Sequence, residues 1–155
     1  MSRRLSPRSQ AEFKAIVDEL AGSGRTARMR ECVQHGRVTT WDHCVRVAHA
    51  SLSLAERLHL RVDRRALVRA ALLHDYFLYD WHEPGHAAHA TQHPVYALRN
   101  AREDFDLTPL EENVIASHMW PLPPTRVPAS TEAALVCLAD KWCSLLETFF
   151  MRQAR

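Results

Sequence analysis

The chain carries its clearest folding signal in Ala66-Leu67-Val68-Arg69-Ala70-Ala71-Leu72-Leu73-His74-Asp75-Tyr76-Phe77. Apolar residues recur here at helical spacing, so that Leu67, Ala70 and His74 share one face. We expect this helix to begin at the cap Asp63 and to run to the end of the stretch. An imidazole and a carboxylate that follow a nearly unbroken aliphatic run are costly to bury without a partner. A metal ion satisfies both groups at once, so this pair anchors the functional interpretation.

The rest of the chain is predicted to be helical nearly throughout. It holds only four glycines, and no segment shows sustained alternation of β-branched residues. We expect helices at about residues 9–20, 26–34, 40–58, 63–77 and 130–151, one with Pro94 in its first turn that ends near 104, and one from the capping box at Thr108 to His118. The predicted fold class is all-α, a bundle of about seven helices.

Composition describes an ordinary soluble globular chain. Of its 155 residues, 46% are hydrophobic and 25% are charged, which is typical of one domain with a real core. We expect residues 1–36 to form N-terminal helices that pack on a metal-binding helical core at residues 37–155. The net charge of +2 makes nucleic acid an unlikely partner class.

Targeting signals are absent from the sequence pattern. No apolar region follows the twin arginines near the start, and no apolar run approaches the ~20 residues that span a bilayer. The cysteines form no CxxC pair, and Cys137 lies in an apolar helix where we expect it in the core. These features predict a protein of the reducing cytoplasm with no membrane partner.

Several polar residues lie on apolar helical faces. Among ten histidines, His43 lies on the apolar stripe of its helix and His118 ends another helix one turn after Val114 and Ile115. Asp140 lies within an apolar run, where an unpaired acid is rarely buried. Taken singly, His43 and His118 are more often core histidines than ligands. Together with the pair at 74–75, they place a His or Asp on an apolar face of four helices, which favours a shared site.

The residue types favour a metal site. Imidazole with carboxylate suits Fe, Mn, Co, Ni or Zn, whereas Mg and Ca prefer shells of oxygen. A carboxylate beside a ligand histidine can bridge two ions. Ions held ~3.5–4 Å apart activate a water and clamp a phosphoryl group. We therefore expect one or two divalent transition-metal ions as cofactors.

With these residues, the segment 38–148 resembles the HD superfamily of metal-dependent phosphohydrolases. The shared pattern is His, then His-Asp, then a distal Asp, on a bundle of helices. The resemblance implies that four residues bind one ion, namely His43, His74, Asp75 and Asp140. The stretches His93-Pro94, His118-Met119-Trp120-Pro121-Leu122 and Leu138-Ala139-Asp140-Lys141 are similar to a group of small bacterial HD-domain proteins, described mostly as predicted phosphohydrolases.

The resemblance also implies ligands for a second ion in members that have two. His93 and His118 match those positions best, with Asp75 as the bridging ligand. His89 is the alternative to His93, and His86 is expected to be a loop histidine. We favour His93 because the proline that follows it starts a helix and fixes the direction of the side chain.

One departure from the family pattern concerns the residues after the pair. Many members continue with Gly-Lys, whereas this chain continues with Tyr76-Phe77-Leu78. A cation near the site is thereby lost. Lys141, which follows a ligand, and Arg46, one turn after His43, are candidates to bind a substrate anion, with Arg99 a weaker one. A solvated basic side chain explains Lys141 equally well, and it explains the two arginines better than substrate binding does.

Aromatic residues flank the predicted site. Tyr79, Trp81 and Trp120 lie in the two predicted loops, where they either wall a pocket, stack on a base or serve only in packing. Trp142 is expected in the core.

The expected function is hydrolysis of a phosphate ester of a nucleotide or other small phosphorylated metabolite, with Asp75 and Lys141 as catalytic residues. The alternatives are an HD-type di-iron oxygenase, which the same ligands would serve, and a non-catalytic metal-bound regulatory domain. The basic N-terminal helices either pack on the bundle or mediate a homodimer.

Overall fold

Seven α-helices and one short β-hairpin make up the part of the chain that the structure, a computed structural model, describes, residues 4–150. In chain order the elements are α1 (Pro7–Ala21), α2 (Thr26–Glu31), β1 (Val33–His35), β2 (Val38–Thr39), α3 (Thr40–Arg57), α4 (Arg64–Leu73), α5 (His89–Asp104), α6 (Pro109–Ser117) and α7 (Thr131–Phe150). The predicted all-α class with about seven helices is confirmed.

Polar side chains cap several of the helices, and the caps of α4 and α6 lie where the sequence predicts them. The side chain of Asp63 accepts from the backbone of the third residue beyond it at the start of α4, and Thr39 does the same for α3. Thr108 and Glu111 form a reciprocal capping box at α6. The hydroxyl of Ser130 caps α7 by accepting from a backbone N–H at 3.0 Å. The predicted end of this last helix, residue 151, lies outside the described residues.

The second helix was predicted to reach residue 34, and this is wrong. α2 ends at Glu31, and β1 pairs antiparallel with β2. Gly36 lies in the turn between them with φ +59°, which a glycine adopts without steric cost. Strand pairing outweighs the helical propensity of this segment, and it points the side chain of Gln34 into the interior.

The fourth helix is shorter than predicted. α4 ends at Leu73 and His74 is its C-cap, so the residues to Phe77 form turns. The side-chain amide of Asn100 donates to the carbonyl oxygens of Tyr76 and Phe77, each at 3.1 Å. This contact from α5 satisfies carbonyl groups that would otherwise lack helical partners, and it fixes the chain just after the His-Asp pair.

The fifth helix begins earlier than predicted. α5 starts at His89, so Pro94 lies in the second turn and not in the first. Pro94 has no N–H, so the carbonyl of Ala90 receives no helical hydrogen bond from it. The extra turn places His89 and His93 on one side of the helix.

The core lies around α4, which contacts α1, α3, α6 and α7. Its buried residues Leu67, Leu72 and Leu73 pack in one cluster with Val47 of α3 and Val136 of α7. α1 packs on α4 and α2 on α3. The division into units at 1–36 and 37–155 stays a prediction.

Two further expectations concern cysteines and membranes. All four cysteines are free and buried, and Cys137 lies in the interior as predicted. Among residues 4–150, no helix combines the length and the apolar character that crossing a bilayer requires.

Candidate metal centre

Six polar side chains predicted as ligands meet inside the bundle. They are His43 of α3, His74 and Asp75 at the end of α4, His93 of α5, His118 after α6 and Asp140 of α7. All six are buried. Buried imidazoles and carboxylates at one point need compensation of charge and hydrogen bonding, so their convergence marks a site and not a packing accident.

The first half of the centre surrounds one oxygen of Asp75. Its Oδ2 lies 3.5 Å from Nε2 of His74 and 3.7 Å from Nε2 of His43. Oδ1 of Asp140 lies 3.0 Å from Nε2 of His43 and 3.6 Å from Nε2 of His74. Two ligand atoms held at about 2.1 Å from one transition-metal ion are about 3.0–3.4 Å apart. The observed separations are close to this range.

The second half surrounds the other oxygen of Asp75. Its Oδ1 lies 3.3 Å from Nε2 of His93 and 3.4 Å from Nε2 of His118. The two histidine Nε2 atoms are 2.9 Å apart. One carboxylate therefore faces two separate sets of nitrogen atoms, which is the geometry of a bridging ligand.

Each histidine directs Nε2 into the centre because its Nδ1 is held by an acceptor. Nδ1 of His74 lies 2.7 Å from the carbonyl oxygen of Ala71. The same atom in His93 and His118 lies 2.8 Å from the carbonyl oxygens four and three residues earlier. In His43 it lies 2.8 Å from Oε2 of Glu147. Such outer contacts fix the tautomer that leaves the Nε2 lone pair for a metal.

Several of the nitrogen and oxygen atoms that face the middle of the centre lack the hydrogen bonds that would satisfy them without a metal ion. Among the described residues, Nε2 of His74 and Oδ1 of Asp75 are buried without a hydrogen-bond partner. Since both His93 and His118 donate through Nδ1, their neutral rings have no proton left at Nε2 for their short contact. A cation removes the resulting repulsion between lone pairs. A set of imidazoles and carboxylates suits one or two transition-metal ions.

The carboxylates dominate the local electrostatics. Burial alone would lower the pKa of His43, but hydrogen bonds to Asp140 and Glu147 outweigh it and raise that pKa to about 10. Burial opposes ionisation of Asp75 and Asp140, yet the adjoining histidines hold both pKa values well below the usual range. The centre therefore keeps its acids ionised and attracts positive charge.

Comparison with known proteins gives one match. A family model described as HD domain matches residues 40–144, which is more than half of the chain and includes all six residues of the centre. The chain belongs to the HD domain family. Searches of the curated proteins and of the solved structures found no significant match.

Two residues of this HD domain centre were missed by sequence reasoning. Glu147 is buried and binds His43, and it lies seven residues after Asp140, on the same face of α7. That spacing was a usable signal. Gln34 donates from Nε2 to Oδ2 of Asp75 at 2.7 Å. No signal marked Gln34, because its segment was assigned to a helix.

Other possible ligand atoms border the HD domain centre. Cys44 forms a close group with His74 and Asp75, and His35 forms one with His43 and Glu147. His35 is only partly buried, and burial lowers its pKa. Both residues lie beside the first half of the centre.

The three histidines around the start of α5, His86, His89 and His93, take different positions. His93 reaches Asp75, whereas Nδ1 of His89 lies 2.9 Å from the hydroxyl of Tyr79. His89 stacks between His93 and Trp81, with ring centroids 4.6 and 5.1 Å away, and burial lowers its pKa to about 4. It thus packs behind the HD domain centre. His86 stacks on Tyr79 at 4.2 Å, and among the described residues it belongs to none of the groups of possible ligand atoms.

The three basic side chains predicted to bind a substrate anion contact different parts of the HD domain. Nζ of Lys141 is 3.2 Å from the carbonyl oxygen of His118 and also contacts Cys137. Arg46 lies 3.7 Å from Glu147, so it contacts an outer acid of the first half. Arg99 packs over the ring of Tyr96, 5.2 Å from its centroid. Their assignment to substrate binding stays a prediction.

Proposed function

We propose that the protein is a metal-dependent phosphohydrolase that cleaves a phosphate ester of a nucleotide or another small phosphorylated metabolite. The observation that carries the proposal is the division of the Asp75 carboxylate, whose two oxygens face two separate sets of histidines. Two adjoining cation sites with one shared carboxylate suit in-line displacement at phosphorus. Membership of the HD family supports the same class of reaction.

The chain's own residues supply binding and orientation. A transition-metal ion, when bound, lowers the pKa of a water and polarises a phosphoryl oxygen. Gln34 holds Asp75 by a hydrogen bond, and Glu147 holds the ring of His43. These contacts fix the ligands before substrate arrives, which reduces reorganisation during the reaction.

Lys141 is the proposed phosphate-binding residue. Its ammonium group contacts the carbonyl oxygen of His118, a ligand of the proposed second ion. A substrate phosphoryl group at that ion would lie close to this charge. We expect Lys141→Met to raise KM for the phosphorylated substrate more than it lowers kcat, because binding of the anion is affected first.

Phosphate release tests the proposal. Nucleotides and sugar phosphates are incubated with the protein and added Mn, Co, Fe or Ni. We expect metal-dependent release that falls at least about 100-fold in Asp75→Ala, since a direct ligand contributes more than an outer partner. Asp80→Ala is the matched control, because that carboxylate binds His82 outside the centre and activity should persist.

Two outcomes would overturn the proposal. Retained hydrolysis in Asp75→Ala would remove the proposed site from the reaction. A metal-loaded protein that releases no phosphate from any substrate, but consumes oxygen with Fe(II), would instead favour the di-iron oxygenase. Metal content measured by elemental analysis accompanies each assay, so that an unloaded site is not mistaken for an inactive one.

A further inference from the structure

One face of α7 is apolar and exposed. Leu138, Trp142, Leu145 and Phe149 are 59, 58, 47 and 61% exposed. The prediction that Trp142 lies in the core is therefore wrong. Successive members of this set, the α7 stripe, are four, three and four residues apart, which is the spacing of the a and d positions in a coiled coil.

The opposite face of α7 explains why the stripe points outward. Asp140 and Glu147 are buried in the metal centre, and Val136 and Cys143 are buried beside them. α7 contacts α3, α4 and α6 through this inner face. Because the ligands fix the rotation of the helix, its apolar stripe stays uncovered by the rest of the described chain.

The size of the surface is that of an interface. Phe150 is also exposed, as is Trp120, whose backbone carbonyl accepts from Cys137 of α7. At about 200 Å² for a full side chain of this size, the α7 stripe exposes roughly 450 Å², and the flanking Trp120 and Phe150 bring the total to roughly 600–800 Å². Monomers seldom expose patches above about 600 Å², and each partner of a standard interface buries about 800 Å².

We propose that a second copy of the chain covers this surface, with the two α7 helices antiparallel about a two-fold axis. In that register Leu138 faces Phe149 of the partner subunit, and Trp142 faces Leu145 of the partner subunit. Each layer then joins one leucine to one aromatic ring. In a parallel pair, Trp142 would face Trp142 of the partner subunit and Leu145 would face Leu145 of the partner subunit. The layers would then differ in volume. The antiparallel contact is self-complementary and closes at two subunits.

Charge is compatible with this pairing. Two acids follow Leu138 in α7, namely Asp140 and Glu147. Both are buried in the centre, so they add no repulsion between the two copies. Lys141 flanks the stripe, and its ammonium group is bound to the carbonyl of His118. The seam between the copies is thus formed by apolar side chains, as in the core of a homodimer interface.

Sedimentation velocity on the full chain over a range of concentrations tests the proposal. We expect a dimer that Trp142→Glu converts to monomer, with a dissociation constant raised roughly 30-fold or more, as for a central aromatic residue. Leu58→Glu is the matched control, since Leu58 is 57% exposed at the end of α3 and its replacement should leave the dimer intact. Helical circular dichroism of both variants checks that they fold.

The register is tested by disulfide trapping. Leu138→Cys mixed with Phe149→Cys should cross-link, whereas each alone should not, because identical positions are about 16 Å apart along antiparallel helices. A wild-type chain that stays monomeric would overturn the proposal, and so would a dimer that Trp142→Glu leaves unchanged. A monomer that co-sediments with anionic lipid vesicles would assign the surface to a membrane instead. Cross-linking of Leu138→Cys alone would overturn the antiparallel register.

Discussion

Nδ1 of His43 lies 2.8 Å from Oε2 of Glu147. Glu147 follows Asp140 by two helical turns in α7. Glu147 thus orients a ring whose other nitrogen faces the metal centre. We expect Glu147→Ala to weaken binding of the first ion about 10- to 100-fold, because loss of an outer partner frees the ring and lowers its basicity. Competition between the protein and a chromophoric chelator for Co(II) or Zn(II) measures the change.

The chain offers two comparisons for this prediction. Glu147→Gln keeps an acceptor for the ring and should lose less affinity than the alanine variant. Glu132→Gln alters a buried acid of the same helix that accepts from the backbone of Asp63 at 2.7 Å, far along the helix from the ligands. Its metal affinity should equal that of the unaltered chain. Equal affinity in Glu147→Ala would contradict the role assigned to Glu147.

The shared carboxylate predicts different metal counts in two variants. Asp75→Asn should lose both ions, because each oxygen of Asp75 faces one half of the centre. His118→Ala should lose only the second ion, since His118 faces Oδ1 alone. Metal-to-protein ratios after gel filtration, measured by elemental analysis, distinguish them. Equal ratios in the two variants would show that the halves do not bind ions separately.

A matched pair of histidines separates ligand from packing residue. His93 lies 3.3 Å from Asp75, whereas His89 is held by Tyr79. We therefore expect His93→Ala to lose the second ion and His89→Ala to keep it. Elemental analysis of both proteins provides the readout. Loss of the ion only in His89→Ala would reverse the assignment.

The residues that converge in the candidate metal centre could be predicted from sequence because the signal of each one is local. A His or Asp on an apolar helical face, such as His74 or Asp140, is visible in the spacing of its own helix. The caps at Asp63 and Thr108 are local for the same reason. The position of each helix boundary at these caps was therefore predicted closely.

Features that depend on distant contacts were missed. Gln34 reaches Asp75 only because β1 and β2 form a hairpin, and the turn that follows α4 is held by Asn100, which binds the carbonyl groups of Tyr76 and Phe77. Trp142 belongs to a face that the rotation of α7 turns outward. These outcomes follow from tertiary packing, which no single helical pattern records.

Proton release on metal binding follows from the pKa values of the first half. Carboxylate hydrogen bonds overcome burial and raise the pKa of His43 to about 10, and Asp75 similarly raises that of His74. At pH 7 both rings of the metal-free protein therefore hold a proton that an ion must displace. Burial lowers the pKa of His118, so that ring has no such proton to release. Binding at the first half should release about two protons.

The affinity of the first half for its ion should decrease as the pH is lowered. Below the raised pKa values of His43 and His74, each unit decrease in pH should lower the apparent affinity for the first ion about tenfold for each proton that the ion displaces. In the metal-free protein, the charged His43 stabilises the fold fully below about pH 6.5, and this stability is lost as the pH rises through about 10.

Calorimetric titration of His118→Ala, which keeps the first half alone, counts the protons in buffers of different ionisation enthalpy at pH 7. Adding Glu147→Ala should reduce the count, because the pKa of His43 loses one of its two supporting carboxylates. A binding heat that is independent of the buffer would contradict the charged state assigned to these rings.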